Sequence, residues 1–400
     1  MYDWKMVRLE SIIDETITGE WGTECEDASM GTKVLRTTNF TNSGVINYDS
    51  VVVRNILSQK IEKKKLLEND IVLEKSGGSD NQPVGRVVFF DNKNPEIFLC
   101  NNFTQILRVD KNKACARFIF WYLFYLHKNG TTESLQNKTT GIRNLQVKRY
   151  MAMPIPLPPL TEQQEIATVF DKVDNLILRR KQQLGQLDLM VKSRFVEIFG
   201  DVISNDRGWK QEALGEFTDV GSSKRIFERE YVSIGIPFYR TKEIVDLSNN
   251  RQIGTPLFIS DERFDEISRR FGSPQREDLL ISAVGTIGTI WVVDNDKPFY
   301  FKDGNLLWVR NAASAESIYL KIVLERLIAY YIGELSAGSA YSALTIVKLK
   351  QMAIPLPPLD LQTRFADFVR QTDKSKLEIK RGLKQLELQY NALMQQYFER

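Results

Sequence analysis

Three pairs of polar segments contain the side chains of this chain that are best suited to bind another molecule, and the members of each pair lie about 200 residues apart. Their arginine, lysine, serine, threonine and asparagine side chains donate hydrogen bonds, and such donors contact phosphate oxygens and the edges of nucleic-acid bases. The segments are therefore candidates for non-covalent contacts with a nucleic acid. The alternative for each segment is an ordinary solvated loop.

The candidate contact residues form three sets, each with donors in both halves of the chain. They are Arg36, Thr37, Thr38 and Asn39 with Arg240, Thr241 and Lys242; Lys75 and Ser76 with Ser282 and Thr286; and Lys138, Thr139, Thr140 and Arg143 with Ser339, Tyr341 and Ser342. Glycines accompany the second and third sets, which indicates loops that allow a close approach. The run KIEKKK at residues 60–65 is a further candidate for phosphate contact, although charge runs are usually solvated faces.

The sequence offers little support for catalysis, so we predict neither a catalytic residue nor a metal site. His127 is the one histidine, and it lies in the aromatic-rich stretch FWYLFYLHKN, which is more typical of a buried core than of a base-stacking surface. The three cysteines are too few and too widely spaced for a disulfide framework or a zinc site. The segment AVGTIGTI is neither a P-loop nor a dinucleotide-binding motif, and NPEI lacks the aromatic residue of a base-flipping methyltransferase loop.

The elements that must position these segments occur twice. The phrase IPLPPL stands at residues 155–160 and again at residues 354–359. Trp4 and Trp209 open the two copies, and LRTTNF and NDIVLEKSGG in the first copy correspond to YRTKEI and EDLLISAVGTIG in the second. A period this long indicates a duplicated domain and not a solenoid. Between these landmarks the copies differ, which favours two similar units that act on different targets.

A long amphipathic helix is predicted after each proline phrase, from about residue 161 to 199 and from about residue 361 to 398. Thr161 and Gln164 form a capping-box pattern at the start of the first helix, and Asp360 is a candidate N-cap of the second. Each helix would span roughly 57 Å, and a single apolar stripe over that length requires a partner. We expect the two helices to pack antiparallel about a pseudo-twofold axis, although each could instead pack on its own domain.

The proline phrase itself is predicted to be extended, because proline excludes helix and favours a polyproline-like path. A stiff segment at this place would set the angle at which each domain leaves its helix. The alternative is a proline-rich ligand for another protein's aromatic groove.

We expect a soluble cytoplasmic protein, because the sequence shows no apolar run long enough to cross a membrane and its first residues do not resemble a signal peptide. A net charge of only +3 is weak support for a nucleic-acid partner. Binding would require charge that is segregated onto one face or supplied by partner chains.

With these motifs together, the sequence resembles the specificity (S) subunit of type I restriction–modification systems over essentially its whole length. The residues that carry the resemblance are PIPLPPLTEQQEIATVFDKVD from Pro154, AIPLPPLDLQTRFADFV from Ala353, the paired strand and Arg-Thr segments, and the two tryptophan openings. The second copy departs from the EQQ pattern with Asp360-Leu361-Gln362-Thr363, so one contact of the first copy could be missing or replaced.

The resemblance implies an α+β fold with two mixed α/β target recognition domains, separated by a pair of long antiparallel coiled-coil helices, in a pseudo-twofold internal duplication. Residues 1–158 and 201–357 would be the recognition domains, and residues 159–200 and 358–400 the spacer helices. Each domain would read one half of a bipartite, asymmetric target in double-stranded DNA.

The resemblance also implies partners and cofactors. The chain would bind two modification (methyltransferase) subunits and two restriction (translocase/endonuclease) subunits, and it would have no catalytic activity alone. S-adenosylmethionine, Mg²⁺ and ATP are expected on the partner subunits and none on this chain. The alternatives are a duplicated protein–protein adaptor without DNA readout and, less well supported by the motifs, an autonomous nuclease or methyltransferase.

Overall fold

The computed structural model describes residues 4–79, 81–91, 95–139, 142–254, 256–310, 314–336 and 343–399, without the side chains of residues 138, 139 and 334–336. The chain forms two compact units. The first unit comprises Met1–Lys181 with Gly382–Arg400, and the second comprises Gln182–Arg381. Each unit therefore consists of one copy of the repeat together with parts of both long helices.

In the described residues of the first unit, short strands form four sheets. The strands are β1 (Lys5–Arg8), β2 (Ile13–Thr18), β3 (Thr32–Leu35), β4 (Val52–Arg54), β5 (Asp70–Glu74), β6 (Ser76–Gly78), β7 (Val87–Phe90), β8 (Phe98–Cys100), β9 (Thr104–Val109), β10 (Gln136–Thr139), β11 (Ile142–Leu145) and β12 (Pro154–Leu157). The central antiparallel sheet has the order β2-β9-β5-β7, and the others are β4-β3-β8, β10-β11-β6 and β1-β12. Strands β3 and β8 are parallel.

The described helices of this unit are α1 (Ser58–Lys64), α2 (Ala116–Lys128), α3 (Val147–Met151) and the long helix α4 (Leu160–Phe199), with 3-10 turns at Leu9–Ile12, Thr37–Asn39 and Thr131–Leu135. Helix α2 packs against β5 and β7 of the central sheet. In α2 every side chain from Phe118 to Leu126 is buried. The aromatic-rich stretch is therefore core, as the sequence favoured.

The second unit repeats this plan. Its strands are β13 (Gln211–Ala213), β14 (Asp219–Gly221), β15 (Tyr231–Val232), β16 (Ile236–Tyr239), β17 (Leu257–Ile259), β18 (Leu279–Ser282), β19 (Ile290–Val292), β20 (Tyr300–Phe301), β21 (Leu306–Arg310) and β22 (Ala353–Pro355). Its helices are α5 (Leu214–Phe217), α6 (Thr241–Ser248), α7 (Asp261–Phe271), α8 (Ser317–Ser336), α9 (Ile346–Lys350) and the long helix α10 (Leu359–Phe398), with a 3-10 turn at Glu228–Glu230.

The sheets confirm the internal duplication. The order β14-β21-β18-β19 matches β2-β9-β5-β7 strand for strand, and β13-β22 matches β1-β12. The sheet β15-β17-β16-β20 also contains one parallel pair, β16 with β20, as β3 with β8 does in the first unit. The observed fold is therefore α+β with two equivalent domains, as predicted.

The two long helices pack antiparallel, and the contacts in each unit show it. In the first unit Phe170 stacks on Phe398 at 5.2 Å between ring centroids, and Lys181 pairs with Glu387 at 2.9 Å. In the second unit Lys376 pairs with Asp188 at 2.7 Å, and Phe195 meets Phe365 edge-on at 5.5 Å. In both cases residue numbers rise on one helix as they fall on the other, which confirms the predicted pairing.

The starts of the long helices differ from the predicted caps. Helix α4 begins at Leu160 and α10 at Leu359, so Thr161 and Asp360 lie inside the first turn. The glutamine that fixes the start of α4 is Gln163, not Gln164. Its Nε2 donates to the carbonyl oxygen of Pro158 at 2.8 Å, and its Oε1 accepts a hydrogen bond from the backbone N–H of Cys115 at 2.8 Å.

The second copy retains this contact. Gln362 donates to the carbonyl oxygen of Pro357 at 2.7 Å and accepts from the backbone N–H of Glu316 at 2.9 Å. The contact that differs between the two copies is the hydrogen bond donated by the tryptophan at the start of each copy. Trp4 Nε1 donates to Glu162, whereas Trp209 Nε1 donates to the carbonyl oxygen of Phe199, because leucine stands at position 361.

Each proline phrase begins in a paired strand and ends at the first residue of a long helix, so it does not form a free polyproline helix. Strand β12 pairs antiparallel with β1, and β22 pairs with β13. Ile155 and Ile354 are fully buried. Proline fits here because each strand has a neighbour on one side only and needs no N–H on the other.

Among the described residues, no helix combines the length and the apolar character needed to cross a membrane.

Candidate nucleic-acid interface

The Arg-Thr pair of the first set lies at the start of a helical segment in each unit, which is the 3-10 turn Thr37–Asn39 in the first unit and α6 in the second. In the first unit the backbone N–H of Arg36 donates to Asn39 Oδ1 at 2.8 Å, and Asn39 Nδ2 donates to the carbonyl oxygen of Asn47 at 3.0 Å. Asn39 is completely buried, whereas Thr38 is exposed and Thr37 and Arg36 are half-buried. Arg36 also donates to the carbonyl oxygen of Ser50. Asn39 therefore shapes the turn, and Thr38 is the member most accessible to a partner.

The corresponding turn of the second unit is built on an ion pair. The Arg240 side chain forms two hydrogen bonds with Glu243, of 3.2 and 2.9 Å, and the Arg240 backbone N–H donates to the same carboxylate at 2.8 Å. Burial raises the pKa of Glu243, but the hydrogen bonds from Arg240 outweigh that effect and hold it below its usual value. Thr241 is half-buried and Lys242 is exposed.

A buried ion pair joins the first and second sets in the first unit. Arg86 makes two hydrogen bonds to Glu74, of 2.7 and 2.9 Å, and donates to the carbonyl oxygens of Thr37 and Phe40, both at 3.1 Å. Glu74 immediately precedes Lys75, so Arg86 holds the Arg-Thr turn beside the Lys-Ser segment. Burial raises the pKa of Glu74, and the Arg86 guanidinium opposes this rise.

Sequence reasoning missed this pair, although a signal was present. Glu74 follows the apolar residues Ile71–Leu73 at the end of the strand DIVLE, and Arg86 precedes the apolar strand VVFF. Leu73 lies opposite Val87 in the hairpin, which places Glu74 opposite Arg86. Two charges at facing ends of buried strands predict an ion pair.

The second and third sets of the first unit lie in one small sheet. Strand β6 pairs with β11, and Ser76 Oγ lies 2.5 Å from Asn144 Oδ1. Arg143 lies opposite Lys138 in the hairpin of β10 and β11, which also includes the backbone of Thr139. Thr140, Ser339, Tyr341 and Ser342 lie outside the described residues.

Lys75 is half-buried, and burial together with the nearby Lys64 charge lowers the pKa of its ammonium group. A partly desolvated cation interacts more strongly with an anion than a solvated one does. Lys75 therefore stays a candidate for contact with phosphate.

The second set differs in the second unit. Ser282 is fully buried, and its Oγ donates to the carbonyl oxygen of Val284 at 3.1 Å, so it supports the turn from inside. Thr286 is exposed at the tip, where Gly285 and Gly288 adopt positive φ angles. Thr286 is thus accessible to a partner, and Ser282 is a positioning residue.

The lysine run at residues 60–65 is largely neutralised. Lys60 and Lys64 both pair with Glu20, and Lys65 pairs with Glu62. This pattern fits a solvated face better than a phosphate-binding patch.

A cluster of cations and aromatic rings in the second unit was not found from the sequence. Phe271 is 39% exposed, and its ring lies 4.6 Å from Lys224 Nζ and 5.3 Å from the Arg270 guanidinium. Arg310 donates to the carbonyl oxygen of Phe271 and stacks on Trp308 at 3.7 Å. The residues come from three distant segments, so no local motif could predict the cluster.

Each unit also contains an open cleft beside the long helices. In the first unit the cleft lies against α2 and has a volume of 760 Å³; in the second it lies against α8 and has a volume of 880 Å³. Asp174 and Glu387 line the first cleft, and Asp373 and Asp188 line the second. These acidic residues occupy equivalent positions of the repeat, so the duplication produces two related clefts.

Comparison with known proteins agrees with this architecture. Residues 1–187 and 206–388 match the family described as the type I restriction modification DNA specificity domain. The chain therefore belongs to this family, and it contains the domain twice.

Individual relatives cover most of the chain. It is 23% identical to a putative type I restriction enzyme MjaX specificity subunit of Methanocaldococcus jannaschii, over 96% of this chain and 89% of that protein. It is 27% identical to a putative type I restriction enzyme specificity subunit of Haemophilus influenzae, over 72% of this chain and 71% of the relative.

The fold is similar to that of the S subunit of a type I restriction–modification system from M. genitalium, determined by crystallography. The TM-score is 0.61 at 16% sequence identity, covering 100% of this chain and 96% of the other. A structure described as showing complex assembly and conformational transition of the type I system matches with a TM-score of 0.55 at 18% identity, over 99% of this chain and 97% of the other.

Proposed function

We propose that this chain is the DNA-specificity subunit of a type I restriction–modification complex and that each unit reads one half of a bipartite, asymmetric target in double-stranded DNA. The observation that carries the proposal is the repeated framework with different side chains at equivalent places. The sheet order is the same in both units, and each Arg-Thr turn is closed by the residue three positions later. That residue is Asn39 in one unit and Glu243 in the other.

Differences at the neighbouring positions support two distinct half-sites. Glu74, bound to Arg86, corresponds to Ser282, which bonds to its own turn. Lys75 corresponds to Ala283 in the aligned segments NDIVLEKSGG and EDLLISAVGTIG. Hydrogen-bond donors at different positions select different base edges in the major groove.

The long helices set the spacing of the two half-sites and dock the modification subunits. The two equivalent clefts beside these helices support binding of two copies of one partner, because a duplicated surface presents the same acidic positions twice. The complete assembly contains two modification and two restriction subunits and acts on DNA in the cytoplasm. S-adenosylmethionine, Mg²⁺ and ATP bind those partners, and this chain supplies recognition without catalysis.

A domain exchange tests whether each unit recognises its half of the DNA target independently of the other unit. Residues 13–109 and 129–146 are replaced by those of a relative, which keeps β1, α2 and both long helices. Methylation-aware sequencing of a host that carries the variant and the modification subunit is expected to show a new sequence in one half of the target and the old sequence in the other. A change in both halves would contradict separate reading by the two units.

The adaptor alternative predicts a different result with the unmodified assembly. DNA binding that is absent or insensitive to salt favours a protein–protein scaffold, because phosphate contacts release counterions and weaken steeply with salt.

A further inference from the structure

The turns at residues 101–103 and 302–305 occupy equivalent places in the two units, and none of the three polar sets includes them. In the first unit the backbone N–H of Asn101 donates to the carbonyl oxygen of Leu35 at 2.9 Å. In the second unit Lys302 makes the same bond with Tyr239, also at 2.9 Å. Leu35 and Tyr239 immediately precede the two Arg-Thr pairs, so one end of each turn adjoins the first set.

The other end of each turn adjoins the second set. The backbone N–H of Lys75 donates to the carbonyl oxygen of Phe103 at 2.9 Å, and the N–H of Ala283 donates to that of Asn305 at 2.9 Å. Ser76 adds a bond of 3.2 Å from its own N–H to Phe103. These bonds make Phe103 and Asn305 structurally equivalent, although the second turn is one residue longer.

The side chains at these two positions differ in chemistry. Phe103 is 42% exposed, and its ring rests against Gly77, where an added Cβ would lie 3.4 Å from Cδ2. Asn305 is half-exposed, and its amide has no hydrogen-bond partner among the residues described. A single exposed phenylalanine is unremarkable on a protein surface. Here, however, hydrogen bonds hold the backbone of the turn that carries Phe103, and this turn lies between the first and second sets of hydrogen-bond donors.

We propose that these turns are a fourth pair of DNA-contacting segments and that positions 103 and 305 determine base specificity. Phe103 makes an apolar contact with the C5 methyl group of a thymine, and Asn305 hydrogen-bonds to a base edge, for which adenine offers the matching donor and acceptor. The inference rests on the proposed function, because it requires that the polar sets face DNA.

The test uses the assembled methyltransferase, with this chain bound to its modification subunits, in a host analysed by methylation-aware sequencing. For Phe103→Ala we expect discrimination at one base of one half-site to fall roughly fivefold or more, with the other half unchanged. Asn305→Ala should relax one position in the opposite half. Ile97→Ala, which truncates a 46% exposed side chain of the same unit, is the matched control and should leave the motif unchanged.

An unchanged motif with wild-type occupancy in Phe103→Ala and Asn305→Ala would overturn the inference. If Phe103→Ala fails to assemble, Phe103→Tyr keeps the ring and adds a hydroxyl group at the contact. An altered preference at one base then supports the proposal, and an unaltered motif contradicts it. If the unmodified chain directs no bipartite methylation, the proposed function itself fails, which distinguishes the two outcomes.

Discussion

The side-chain amide of Gln163 bonds to the carbonyl oxygen of Pro158, five residues earlier, and Gln362 makes the same bond with Pro357. Both glutamines are 1% exposed. Each also accepts the N–H that immediately precedes α2 or α8. One side chain therefore connects the proline phrase, the long helix and the buried helix of the domain, and this junction is the same in both units.

Replacing Gln163 by alanine should lower the free energy of unfolding by about 2–3 kcal/mol, because the Pro158 carbonyl and the Cys115 N–H lose their partner. Urea denaturation followed by tryptophan fluorescence measures the shift. The adjacent exposed Gln164→Ala is the control and should change stability by less than about 0.5 kcal/mol. Equal effects of the two substitutions would show that Gln163 does not join these elements.

The Arg240–Glu243 pair should stabilise the second unit at neutral pH. The pKa of Glu243 is lower in the folded chain than its ordinary value of 4.5, so its contribution is present above that pH and is lost as the pH falls through the folded pKa. Glu243→Gln should cost about 1–3 kcal/mol at pH 7, and the difference from the unmodified chain should shrink in calorimetric scans as the pH falls through the folded pKa of Glu243.

Arg240→Ala alone cannot separate folding from DNA contact, since it leaves Glu243 buried without its partner. The double variant Arg240→Met, Glu243→Gln removes both charges and should recover most of the stability. Weaker methylation of the second half-site in this well-folded variant would identify Arg240 as a DNA contact. Unchanged motif and occupancy would assign it to the turn alone.

His127 should make the chain less stable in mild acid. Burial, with smaller effects of the Arg86 and Lys128 charges, lowers its pKa from 6.5 to about 4, so the unfolded chain binds the proton more readily between these values. Stability should fall by roughly 3 kcal/mol as the pH drops from 6.5 to 4, relative to His127→Gln. Because this is the one histidine of the chain, its imidazole NMR signal gives the pKa directly, and a value near 6.5 would contradict the expectation.

The cluster around Phe271 should contribute phosphate contacts. Removing two such contacts with Lys224→Ala and Arg270→Ala should reduce the slope of log K against log salt by up to about 2 for the assembled complex. Lys374→Ala with Lys380→Ala removes the same charge from exposed positions of α10 and should leave the slope unchanged. Equal slopes for both double variants would exclude the cluster from the DNA interface.

The local sequence pattern was sufficient to predict the elements that have a strong apolar periodicity or that proline and glycine residues delimit. The long helices begin within one or two residues of their predicted starts, because the proline phrase ends the preceding strand and the apolar stripe follows at once. The strand DIVLE and the hairpin around Gly285 and Gly288 were also predictable, since glycine permits the positive φ angles that these turns need.

The pairing of segments that lie far apart in the sequence was harder to predict from the sequence. The first residues of each IPLPPL phrase form a strand only because the N-terminal segment of the same copy lies alongside, about 150 residues away in sequence. Asn39 and Ser282 looked like loop donors, yet both are fully buried and support their turns. A polar side chain in a loop can satisfy the backbone as readily as a ligand, and composition does not distinguish the two uses.

The sequence by itself determined the duplication, the α+β class, the two long helices and the family, because repeats and hydrophobic periods are properties of residue order. Only the tertiary structure decided which polar residues are available to a partner. In the folded chain Asn39 and Ser282 are buried, and Glu74 forms an ion pair with Arg86. The fold also brings the residues of the Phe271 cluster together and places Phe103 and Asn305 at equivalent positions. Those outcomes depend on hydrogen bonds and ion pairs between segments distant in the chain, and burial makes such bonds obligatory.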